Sequence, residues 1–90
     1  GHDSAKRQWR LFQDVLRSEN SLPVLSCVGN HDIWCREETA QSFADGRQWA
    51  MDELQMTRRY YSLDRAGWHI VVLDSVQPKP DGSWYTAHLD

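Results

Sequence analysis

Membrane-spanning segments are missing from this chain of 90 residues. Its longest strictly apolar run, Ile70-Val71-Val72-Leu73, falls far short of the ~20 residues that a bilayer-crossing helix requires. Cysteine is scarce as well. Cys27 and Cys35 cannot build a disulfide framework, and there is no Cys-x-x-Cys. Positive charge is not in excess: 10 basic side chains stand against 13 acidic ones, the net charge is −3, and Lys6-Arg7 and Arg58-Arg59 are the only adjacent basic pairs. That scatter argues against a nucleic-acid-binding stripe. The first residues, Gly1-His2-Asp3-Ser4, contain neither Met nor a signal-peptide pattern, and read as a cut within a longer chain. No repeat, low-complexity tract or interdomain linker divides the sequence, so residues 1–90 are expected to form a single partial domain, soluble and without a membrane partner.

Aromatic residues are plentiful by comparison: five Trp, three Tyr and two Phe. A chain this short buries only ~60–65% of its unfolded surface, and large rings are the efficient way to build a core within that limit. Trp9, Phe12, Val15 and Leu16 recur at three- and four-residue steps. This spacing predicts an amphipathic helix capped by Asp3 or Ser4 and running to about Arg17. Glu37 to Ala44 also reads as helical, with Glu37-Glu38 as its charged start. Asp45-Gly46 is expected to break it, and a second short helix follows from Gln48 to Leu54, with Trp49, Met51 and Leu54 as packing residues.

Val24 to Val28 is nearly continuous apolar sequence, the pattern of a strand covered on both faces. Cys27 is then a small core residue. Tyr60-Tyr61-Ser62-Leu63-Asp64 reads as another strand, Arg65-Ala66-Gly67 as a bulged three-residue turn, and Trp68 to Asp74 as a central strand. Gln77 to Gly82 reads as a loop, and Trp84 to Asp90 as the beginning of a further element. Helix and strand in alternation point to an α/β chain. In such sheets ligands gather where strands end.

At the end of the first strand stands Gly29-Asn30-His31-Asp32. The glycine offers backbone freedom, including positive φ. The Asn amide oxygen can ligate a metal, His works as acid, base or ligand near neutral pH, and Asp can orient it. An ordinary Gly-Asn turn would use the same residues for local hydrogen bonds.

Val28-Gly29-Asn30-His31-Asp32 at a strand end resembles the Gly-Asn-His-Asp/Glu motif of calcineurin-like metallophosphoesterases. The stretch Tyr60-Tyr61-Ser62-Leu63-Asp64, followed by Gly67-Trp68-His69-Ile70-Val71-Val72-Leu73-Asp74-Ser75, is similar to the hairpin that usually follows in that family. The resemblance implies a partial metallophosphoesterase-type fold, a mixed sheet flanked by helices within a four-layer αββα sandwich. It implies hydrolysis of phosphomonoesters or phosphodiesters at a site of two metal ions, Mn, Fe or Zn. By carry-over Asn30 would ligate one metal, His31 would be the catalytic residue beside the scissile phosphate, and Asp32 with Gly29 would fix the loop behind them. The partner is a phosphate-ester substrate, and a nucleic acid is conceivable as substrate rather than as a binding partner. Family members also carry Asp-x-His and Gly-Asp-x-x-Asp before this point and Gly-His-x-His after it, and this sequence has none of the three. The expectation is therefore a middle segment of such a domain, inactive by itself.

Two other classes fit some of the residues. One is a small zinc-binding domain using Cys27, His31, Cys35 and a further His. The other is a non-catalytic phosphoesterase-like interaction module with an aromatic surface. Asp74 could share the rim with Asn30 or merely cap a loop. His69 is expected to be a packed or edge residue, and Trp34 to pack beside the motif.

Overall fold

The computed structural model describes residues 1–37 and 39–79, and the backbone of 84–85. The first helix, α1, spans His2–Glu19. Its cap is Gly1, ahead of the expected Asp3 or Ser4, and no side chain caps it. Its apolar stripe is only partly covered. Trp9 packs against the core, while Phe12 and Val15 remain about half exposed and no residue of the helix is fully buried.

The second helix, α2, spans Ala40–Glu53 without interruption, so the expected break at Asp45-Gly46 does not occur. Two local facts explain this. Asp45 accepts a hydrogen bond from Gln41 one turn earlier (2.8 Å), which supports the helix instead of ending it. Gly46 is buried, and the carbonyl of Trp34 lies where a Cβ would be, so the glycine serves close packing. Thr39 caps the helix by accepting from the Ser42 amide (3.1 Å), which leaves Glu37 outside it; Glu38 is not among the described residues. At the other end Gln55 adopts φ 57°. Its amide donates to the Asp52 carbonyl and that of Met56 to the Met51 carbonyl, the paired bonds of a Schellman ending.

Two strands, β1 (Tyr61–Arg65) and β2 (Trp68–Val72), form an antiparallel hairpin with Arg65 opposite Trp68. The turn therefore holds two residues, Ala66 and Gly67, instead of a bulged three. Both have positive φ (51° and 82°), as a type I′ connection requires. β2 is not central. β1 is its only partner among the described residues, and Trp68 is 74% exposed. Gln77–Pro78, expected to be loop, forms a short strand β3 that pairs antiparallel with β4, Trp84–Tyr85. Proline is tolerated there because the pair has free edges. Residues 80–83 and 86–90, with the rest of the anticipated loop and tail, lie outside the described residues.

The expected strand over Val24–Val28 is absent. These residues carry no regular structure and no strand pairs with them among the described residues. Val24 and Leu25 are exposed (51% and 43%), and Cys27 is exposed where a core position was expected. An apolar run of this kind becomes a strand only when neighbouring strands take up its backbone groups, and no described strand forms a ladder with it. The core is small: Val28, Ile33, Phe43, Ala50, Met51 and Val76, with Trp9, Cys35, Leu54 and Met56 around it. The described residues form an α/β arrangement of two α-helices, the short antiparallel β1-β2 sheet and the two-residue β3-β4 pair.

Candidate functional site

Gly29-Asn30-His31-Asp32 hangs between two core residues. Val28 before it is 5% exposed and Ile33 after it 4%, so both ends of the loop are anchored by apolar burial. Between these anchors Asn30–Asp32 makes one 3-10 turn. The Asp32 carboxylate accepts from the Gly29 amide (2.8 Å), and the Asp32 amide donates back to the Gly29 carbonyl (3.2 Å). Gly29 has φ −98° and ψ 170°, so it does not use the positive φ that glycine permits. Its value here is space: a Cβ at this position would sit 3.3 Å from Asp32 Oδ2 and crowd the bond that closes the loop.

The loop separates Asn30 from His31 and Asp32. His31 is exposed and, with Asp32, lines an open cleft of about 790 Å³ against Ser4, Gln8 and Trp9 of α1. Asn30 is half-buried and does not face that cleft. Cys27 shares the cleft with His31 and Cys35 does not. Both cysteines are free, and burial raises the Cys35 thiol above its ordinary value. Among the described residues no three His, Cys, Asp or Glu side chains converge where a metal ion could be held. One amide and one imidazole are too few for a two-metal centre, so the residues present do not fit such a group by themselves. The same finding gives the zinc-domain reading no support.

Two contacts behind the loop were not legible in the sequence. Tyr61 of β1 donates its hydroxyl to the Ser26 carbonyl (2.7 Å), tying the hairpin to the segment that leads into the loop. Its place in the Tyr60-Tyr61 pair marks a strand but not this partner. Asp74 is buried, away from any rim. Its Oδ2 lies 3.2 Å from Arg47 of α2 and 3.5 Å from Arg59, and its Oδ1 accepts from the Val76 amide (3.1 Å). A short acidic side chain just after a strand gave no hint of two arginines arriving from 15 and 27 residues upstream. His69 is an exposed edge residue paired across the hairpin with Asp64 (2.7 Å). His88 is outside the described residues.

The chain matches no protein-family model, no curated protein and no solved structure. Also, among the described residues, no helix is long and apolar enough to cross a membrane.

Proposed function

We propose that this chain is a segment of a metal-dependent phosphoesterase, the middle part of a calcineurin-like metallophosphoesterase domain. The observation that carries the reading is the Gly29–Asp32 loop itself, pinned at both ends by core residues and closed internally by Asp32. A loop so fixed holds the backbone at Asn30 and His31 in a defined place, which a reacting centre requires and a mere chain reversal does not. In this role the His31 imidazole lies beside the phosphoryl group, where it stabilises charge or delivers a proton to the leaving oxygen. Asn30 would offer its amide oxygen to one metal. Two metal ions, held mostly by ligands outside these residues, would supply the nucleophile and charge neutralisation. The same proposal accounts for the bare Val24–Val28 segment, which becomes a strand of a mixed sheet once its neighbours in the αββα sandwich are present.

The test is an assay of the longer protein encoded around this segment, with Mn²⁺ and a chromogenic phosphodiester. We expect metal-dependent hydrolysis, a loss in kcat of roughly 10²–10⁴ for His31→Ala, and loss of metal-dependent activity for Asn30→Ala. Flanking sequence without Asp-x-His, Gly-Asp-x-x-Asp and Gly-His-x-His would overturn the reading, as would a longer protein with no hydrolysis. The 90-residue chain alone is expected to be inactive; turnover by the clean chain would overturn that division of ligands.

A further inference from the structure

At a second open cleft of about 620 Å³, which shares Trp34 with the His31 cleft, three aromatic rings from three parts of the chain meet, and the volume is typical of small-molecule sites. Trp34 and Trp49 stand nearly perpendicular, with centroids 6.0 Å apart and an interplanar angle of 80°. The imidazole of His2 sits in the angle between them, stacked on Trp49 (4.8 Å, 26°) and edge-on to Trp34 (5.3 Å, 75°). We propose that this corner is a binding site for a nitrogen heteroaromatic ring of the nucleobase class, and that His2 occupies it in the absence of ligand.

Both walls are held in place. Trp49 donates its indole N–H to Glu53 (3.1 Å), and Glu53 in turn accepts from Gln13 of α1 (2.7 Å). Trp34 is fixed through its main chain, which lies directly against Gly46 of α2. A planar guest therefore meets rings whose orientation is already set. The present guest is loosely held by comparison. The His2 side chain is half exposed, and among the described residues its one ion-pair partner is the fully exposed Asp3 at 3.9 Å. The rim carries both signs of charge, Lys6 and Arg36 with Glu37 and Asp45. Donors and acceptors around a stacking face suit the mixed edge of a nucleobase better than a plain hydrocarbon ring or a simple anion. This inference stands on the ring geometry and the charged rim and does not depend on phosphoester chemistry.

Adenosine is the probe, read through the indole N–H signals of Trp34 and Trp49 in ¹H–¹⁵N spectra of the chain. The expected result is a saturable shift of both signals. His2→Ala, which vacates the corner, should tighten binding about fivefold or more, and Trp49→Leu should weaken it by about tenfold or more. Unmoved signals overturn the proposal, and so does binding that His2→Ala leaves unchanged or that survives Trp49→Leu. Should Trp49→Leu fail to fold, His2→Ala decides alone, because it removes a half-exposed ring that is not part of the hydrophobic core.

Discussion

A methyl group at position 46 would stand 2.3 Å from the Trp34 carbonyl oxygen, inside any real contact distance. Alanine favours a helix interior over glycine by about 1 kcal/mol, yet here the clash with backbone outweighs that gain. Gly46→Ala is expected to destabilise the chain by about 1–3 kcal/mol, read as a lower urea midpoint. Cysteine reactivity offers a second measurement. Cys27 is exposed, whereas Cys35 is half-buried and its thiol is raised by desolvation. Alkylation followed by mass spectrometry should label Cys27 first, with the difference vanishing in urea. The linkage has a sign. The unfolded chain loses the Cys35 proton near 9.0 and the folded chain holds it longer, so stability should fall as pH rises above that value.

Each element ends or joins through one feature that can be tested separately. The α2 terminus places Gln55 at φ 57°, a conformation that costs an L-residue about 1–2 kcal/mol and glycine almost nothing. Gln55→Gly should therefore stabilise the chain by up to about 1 kcal/mol in denaturant unfolding. Asp74 joins α2 to the chain leaving the hairpin. Asp74→Asn keeps an oxygen for the Val76 amide but removes the charge facing Arg47 and Arg59. A fully buried pair broken on one side costs about 3–5 kcal/mol; these guanidinium groups still reach water, so about 1–3 kcal/mol is expected by urea unfolding. The helix and hairpin positions were legible because periodicity and turn residues are local. The break at Asp45-Gly46 was misread because the partner that makes Gly46 necessary lies twelve residues upstream.

For the molecule as a whole, the radius of gyration is 14.5 Å, against about 12 Å for a compact domain of this length. The excess reflects a thin slab, 18 Å in its shortest dimension, around a core of six buried apolar side chains. Apolar residues are left on the surface in consequence: Leu11, Leu22 and Val24 on one side of the sequence, Trp68, Val71 and Leu73 on the other. Such surface favours association. Sedimentation should show the chain associating as concentration rises, and Val24→Lys with Trp68→Lys should reduce that association. If both substitutions leave the concentration dependence unchanged, these residues are not its cause.

The sequence alone determined that α1 is a helix, that most of residues 40–53 are helical, the presence of the hairpin and the tetrapeptide that carries the functional reading. Each depends on contacts a few residues long: the 3.6 and 2.0 periods, the turn residues, and the local chemistry of Gly, Asn, His and Asp. Tertiary structure alone decided the rest. It placed Trp34 on Gly46, brought Arg47 and Arg59 to Asp74, and set His2 between two indoles. It also left Val24–Val28 without a strand partner among the described residues, since a buried strand is a property of its neighbours as much as of its own residues.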